Sequence, residues 1–279
     1  MPEQPVRLTP RFCPKIWGST HLEPWFPSPA EPIGEVWYTS ASPLPLLPKF
    51  LFTRERLSVQ VHPNDLQARA RGLDNGKTEM WQILRAEPGA VIALGFRKPV
   101  SRDLVRAAAL SGAIEDLLDW IPVHAGDTVF VPAGTVHALG AGIVLCEIQQ
   151  FSDTTYRLYD YGRPRELHLE EALSVADLGP ASHRPAPAGP LEDGALKTLL
   201  RCPYFQTDLL AADSSDILLT GPRHFFRLLL VLQGDGLLNA RPYRAGDCWL
   251  LPESAGEVRL QPRSPSQFLR TGPPPRRGR

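Results

Sequence analysis

Apolar and polar positions alternate along much of the chain. Leu57-Ser58-Val59-Gln60-Val61-His62 reads as a strand with Leu57, Val59 and Val61 on one face and Ser58, Gln60 and His62 on the other. Thr78 to Leu84 predicts a second strand. Thr128 to Val131, Gly142 to Ile148 and Thr155 to Tyr159 predict three more. Short strands parted by Gly and Pro turns point to a mainly β sandwich or barrel. Helical periodicity is confined to a few places. Ser101 is a candidate N-cap for a helix reaching Leu110, with Pro99 upstream. A second short helix is expected over Ile114 to Trp120, and a third over Leu169 to Val175.

Composition narrows this further. The 279 residues include 30 Pro and 22 Gly, too many breakers for a coiled coil or helical bundle. A hydrophobic share of 43% excludes disorder of the whole chain. Lys and Arg total 30, as do Asp and Glu, so no net charge favours nucleic acid or an anionic membrane. The longest apolar run, Ala138 to Cys146, falls well short of the ~18 residues of a membrane-spanning helix. The opening MPEQPVRLTPRF has no apolar core of a secretory signal. Four scattered cysteines, Cys13, Cys146, Cys202 and Cys248, form no CxxC pair. These features predict a reduced, cytoplasmic protein without a thiolate metal site.

A faint internal repeat organises the chain. Gly126-Asp127-Thr128-Val129-Phe130-Val131-Pro132 resembles Gly246-Asp247-Cys248-Trp249-Leu250-Leu251-Pro252, and only the first copy runs on to a histidine, His137. Two related β-units are expected, one carrying chemistry (residues 1–178, with a helical insert at about 99–120) and one degenerate (195–265). A Pro/Ala/Gly linker (179–194) joins them, and a disordered tail (266–279) ends in three arginines. The second unit has no ligand residues after its turn, so a purely structural role is expected, with Phe225, Phe226 and Leu228 to Leu232 packing on the first unit.

Candidate chemistry sits in the first unit. Gln60 and His62 share a strand face about 6.5–7 Å apart, close enough for both side chains to converge on one ion. Lys77 and Glu79 share a face of the next strand, and the turn Pro132-Ala133-Gly134 presents His137. Two histidines, a glutamate and a glutamine make an N/O donor set that suits zinc and, less well, iron, cobalt or manganese. The polar stretch from Glu147 to Arg157, followed by Arg163 and Arg165, reads as an anion-binding wall, because arginine forks match phosphate.

The spacing Gly126-x5-Pro132-x-Gly134-x2-His137 is similar to the second cupin motif, with Ala141 where an asparagine is usual. Together with Gln60-x-His62-Pro63, Lys77-x-Glu79 and Ser152-Asp153-x3-Arg157, the pattern resembles the class I mannose-6-phosphate isomerases in their short bacterial form. Lys15-Ile16-Trp17-Gly18 and Gly34-Glu35-Val36-Trp37 are similar too, and the likeness spans roughly residues 10–178. The resemblance implies a cupin-type β-barrel or jelly roll and a zinc enzyme, one ion per chain, that interconverts mannose 6-phosphate and fructose 6-phosphate. It implies Gln60, His62, Glu79 and His137 as metal ligands and Arg157 as the catalytic arginine. Ser58, Lys77, Asp153 and Arg163 then contact substrate. For the base that moves the proton through an enediol(ate), Glu147 is the first choice, then Lys77 or Asp153.

Two other readings use the same barrel: a non-catalytic sugar-binding protein, and a different metal-dependent cupin enzyme such as a dioxygenase. A complete ligand set beside Arg157 argues against the first. Gln60 and the basic wall fit a phosphosugar better than the second.

Overall fold

Two antiparallel sheets build the first unit of the computed structural model, which describes residues 4–219 and 226–274. Seven strands lie in the spatial order Ala186–Pro187, Asp127–Val131, Glu79–Ala86, Ile143–Gln150, Leu46–Thr53, Ile33–Tyr38 and Pro10–Ser19. Five face them: Tyr156–Tyr159, Val59–Val61, His137–Leu139, Val91–Phe96 and Leu118–Pro122. Trp81, Ile83, Val129, Leu145 and Leu94 fill part of the space between the sheets. The outer face of the smaller sheet, with Val59 and Val61, is covered by helices through Val105, Ala109 and Leu173.

The second unit repeats the plan on a smaller scale. Six strands run Val6–Arg7, Cys248–Leu251, Arg227–Gln233, Ser266–Gly272, Gln206–Ala212 and Leu196–Arg201. Four more run Ile217–Leu219, Val258–Pro262, Asp235–Leu238 and Arg241–Arg244. The units share one core: Val36, Phe50, Phe52, Cys146 and Ile148 pack with Phe226, Leu228, Leu230, Leu250 and Leu269. Phe225, expected in this contact, lies outside the described residues. Two polar tethers cross the same seam: Trp25 Nε1 donates to Leu232 O at 2.7 Å, and the Tyr38 hydroxyl donates to Gly246 O.

Several expected elements stand as read. Ser101 accepts the Leu104 amide at 3.2 Å and caps the helix Arg102–Ser111, and the third helix spans Leu169–Val175. Four boundaries are corrected. The second helix stops at Leu117, because Leu118–Pro122 forms an edge strand against Val91–Phe96. Val6–Arg7 pairs with Trp249 and Leu250, so the first described strand belongs to the second unit's sheet. The expected linker is ordered, with Ala186 and Pro187 extending the large sheet beside Asp127 and Thr128. The expected tail begins with a central strand: Ser266–Gly272 sits between Arg227–Gln233 and Gln206–Ala212, burying Phe268 and Leu269. Residues 275–279, with the three terminal arginines, lie outside the described residues.

Candidate active site

Strand register assembles the centre. In the small sheet Gln60 lies opposite His137 on one side and Arg157 on the other. Glu79 opens the Glu79–Ala86 strand of the facing sheet, opposite Val131. Two glycines make the approach possible. A Cβ on Gly76 would lie 2.5 Å from Asn64 C, so only glycine lets the loop carrying Lys77 press onto the chain just after His62. Gly134 has φ +92° and donates its amide to His62 O at 2.9 Å, binding the turn that presents His137 to the His62 strand.

Both histidines are fully enclosed and fixed from behind. His62 Nδ1 lies 2.8 Å from Thr154 O and His137 Nδ1 2.9 Å from Thr135 O. A carbonyl only accepts, so each Nδ1 carries the proton and each Nε2 keeps its lone pair. Burial, with Lys77 beside it, holds the His62 pKa well below the usual imidazole range, and burial takes His137 down to about 4. The two neutral rings converge on Glu79: His62 Nε2 is 3.7 Å from Oε2 and His137 Nε2 is 3.4 Å from Oε1. One ligand atom from each residue falls within 4.8 Å of the others, and both Glu79 oxygens are buried without a hydrogen bond of normal geometry. A buried carboxylate between two imidazole lone pairs, paired with the Lys77 ammonium, is a donor set that fits a divalent ion. Gln60 is at the edge of this group. Its Nε2 lies 3.2 Å from His137 Nε2 and its Oε1 lies 3.4 Å from Ser58 Oγ, so oxygen ligation calls for a half-turn of the amide.

A row of charges extends from the triad. Lys77 Nζ lies 2.9 Å from Glu79 Oε2 and 3.1 Å from His62 Nε2. Burial works against its charge, but Glu79 and Glu147 overcome that and hold the ammonium above its ordinary range. Glu147 accepts from Trp81 Nε1 at 3.2 Å and pairs with Lys49 at 3.4 Å. Burial, then Glu79, pushes the Glu147 carboxyl up, while Lys49 and Lys77 hold it back. Lys49 continues to Glu35 at 3.5 Å, and Glu35 to Lys15 at 3.4 Å.

These groups line a cleft of about 270 Å³ that also takes in Ser58, Gln60, Asp153, Arg157 and Arg165. Arg157 Nη1 donates to Glu166 O at 2.6 Å, and its Nε is buried with no acceptor. Burial, with Arg165 nearby, lowers its pKa somewhat, which leaves a guanidinium charged. Arg163 is not brought to the cleft. It donates to Arg56 O at 2.7 Å, pairs with Asp160 at 2.8 Å and lines a separate surface cavity with Arg54 and Tyr161. Arg165 takes its place, gripped by both oxygens of Asp160 at 2.5 and 2.7 Å.

Lys49 and Trp81 carry no role in the sequence reading, and Lys15 and Glu35 appear there only as points of likeness. One local signal marks Lys49: it is the single charge in the wholly buried strand LLPKFLFT. A lysine buried in an apolar strand requires an acidic partner.

A two-unit cupin-type barrel with a polar cleft beside a buried pair of histidines and a carboxylate defines the class: a β-barrel enzyme with a centre suited to a metal ion. No protein-family model matches the chain. It is 32% identical to the mannose-6-phosphate isomerase ManA of Bacillus subtilis strain 168, over 94% of this chain and 97% of the relative. It is 33% identical to the mannose-6-phosphate isomerase of Streptococcus mutans, over 90% of this chain and 93% of the relative. The crystal structure of the mannose 6-phosphate isomerase from B. subtilis superposes with a TM-score of 0.84 at 29% identity, covering 96% of this chain and 99% of that one. The chain belongs to the mannose-6-phosphate isomerase family and is an isomerase. No helix among the described residues is long and apolar enough to cross a membrane.

Proposed function

We propose that the chain interconverts mannose 6-phosphate and fructose 6-phosphate with one zinc ion held by His62, Glu79 and His137 and completed by Gln60. The observation that carries this reading is the pair of imidazoles fixed through Nδ1, both Nε2 atoms turned to the buried Glu79 carboxylate behind Gln60 and Lys77 of the cleft wall. When bound, the ion adds positive charge at the sugar oxygens and favours negative charge developing there.

The remaining work falls to the chain. Glu147 takes the C2 proton of the open-chain aldose and leaves an enediolate charged at O1; the hydroxyl proton passes from O2 to O1, and the same carboxyl returns its proton at C1 to give the 2-ketose. Burial raises its pKa towards the working range of a base, and Lys49 keeps it ionised enough to accept. Lys77 is a poorer base, because Glu79 and Glu147 stabilise its charged form. It acts instead as a fixed cation beside a sugar hydroxyl. Asp153, exposed at the rim, is left the role of a hydroxyl contact with Ser58. Arg157 offers its unaccepted Nε to the enediolate oxygen, a donor placed before the chemistry begins. Arg165, oriented by Asp160, is the residue for the 6-phosphate, and binding that remote group holds the sugar in its reactive pose. All four cysteines are unpaired, in keeping with a reduced, cytoplasmic setting.

The test is a coupled assay of zinc-loaded protein with mannose 6-phosphate. Fructose 6-phosphate forms at an enzymatic rate if the reading is right. A protein with a full complement of metal that produces none overturns it.

A further inference from the structure

Glu79 and Arg227 hold the same place in the two β-units. The Gly126 amide donates to Ile83 O at 2.8 Å and the Gly246 amide to Val231 O at 2.9 Å, and each following Asp closes the same turn onto the residue three before it. Counting back four residues from these acceptors reaches Glu79 in one copy and Arg227 in the other. Cross-strand pairing agrees: Glu79 faces Val131 and Arg227 faces Leu251, each five residues beyond the turn glycine. Along each strand the next same-face residues, Trp81 and Ile83 or Leu229 and Val231, fill the interior of their own unit. The second unit therefore replaces the carboxylate of the cation centre with a guanidinium.

That guanidinium is unbalanced. Arg227 is 9% exposed, and its Nε and Nη1 are buried without an acceptor. The charge that acts on it among the described residues is Arg270, of the same sign, which with burial depresses its pKa. The one carboxylate close to Arg270 is spent. Asp208 Oδ2 accepts from Arg270 at 2.7 Å, while Oδ1 accepts from Thr198 at 2.7 Å and Gln206 at 2.8 Å. The chain carries no acidic residue between Asp216 and Asp235 and none after Glu257. A buried cation with open donors calls for an anion with several acceptor oxygens.

We propose that the second unit binds a small oxyanion of the phosphate class at Arg227, a site separate from the isomerase cleft. Its source is inorganic phosphate or the phosphate group of a hexose phosphate. The test compares melting temperatures of metal-loaded wild type and Arg227→Met across a titration of each compound. In phosphate-free buffer the variant melts at or above wild type, because it loses a buried charge that has no acceptor. As phosphate rises, wild type gains several degrees over the variant and the order reverses. Binding in the isomerase cleft affects both proteins equally, and the variant's isomerase rate stays at the wild-type level. The compound that reverses the order at the lower concentration is the source. A variant less stable than wild type by a constant margin at every concentration overturns the proposal. Should Arg227→Met fail to fold, wild-type crystals soaked in arsenate decide: an anomalous peak about 3 Å from the Arg227 guanidinium supports the site. Arsenate in the cleft alone overturns it.

Discussion

Lys49 and Glu147 meet across adjacent strands, Nζ 3.4 Å from Oε1, with side chains only 4% and 5% exposed. The pair sits where the proposed base must stay ionised in a site from which water is largely excluded. Lys49→Met leaves Glu147 without its strongest counter-charge, so its pKa rises further and the acidic limb of the kcat/KM profile moves to higher pH. Breaking a buried pair in this way costs about 3–5 kcal/mol while the remaining charge persists. Because the folded-state pKa of Glu147 lies above its unfolded value and rises further in the variant, the deficit of the variant relative to wild type is smallest at low pH, where the carboxyl is protonated, and grows as pH rises through the folded pKa. Denaturant unfolding across pH measures the second effect, and initial rates measure the first.

The metal centre predicts one ion per chain by elemental analysis, with activity lost on chelation and restored by zinc. His137→Ala removes one of three converging ligands and should lose most of its metal. The low pKa of both imidazoles means that acid releases the ion only well below the ordinary imidazole value of about 6.5. Full activity with chelator present would sink the assignment.

Arg157 is assigned to charge that develops during the reaction. Arg157→Ala should lower kcat by about 10²–10³, the worth of one fixed oxyanion donor, roughly 2.7–4 kcal/mol. Metal content should stay at the wild-type level. Arg157→Lys should recover little, because a point charge does not reproduce the guanidinium fork. A rise in KM with kcat preserved would instead make it a uniform binding residue.

Arg163 and Arg165 are separated by the structure, and steady-state kinetics can separate them again. Arg165→Ala should raise KM for mannose 6-phosphate about tenfold or more, as expected on losing a charge-assisted contact worth roughly 1.5–3 kcal/mol. Arg163→Ala should leave KM within about twofold and reduce stability instead, by about 0.5–1.5 kcal/mol, because it removes one of the two arginines paired with the buried Asp160 while Arg165 still holds both of its oxygens.

The shared core predicts that both units unfold together. Leu230→Ala, at a position with no exposure between the two sheets, should cost about 2–5 kcal/mol and lower a single calorimetric transition. Arg259→Ala removes only a surface pair with Asp216 and should leave turnover within about twofold. Two separate transitions would show that the seam is not one core.

Much of this protein is written locally. Alternation over a few residues places Ser58 and Gln60 on a common face, a tight Pro-Ala-Gly turn presents His137, and Ser101 caps its helix through its own third neighbour. Short-range geometry suffices for these, so the helix starts, the paired Gly-Asp turns and the residues that gather at the buried centre could be read from sequence. What decides the rest is register between distant strands. Lys49, Glu147 and Trp81 form one row only because three strands align side by side. No local pattern carries that alignment. Arg163 and Arg165 are two residues apart in one polar loop, and only the packing of Asp160, Arg56 and Tyr161 sends one away from the cleft and turns the other into it. The Ser266–Gly272 segment looked like the start of a loose tail for the same reason. Its apolar residues acquire meaning only between the two strands that bury them, because a strand gains its stability from partners that its own sequence does not contain.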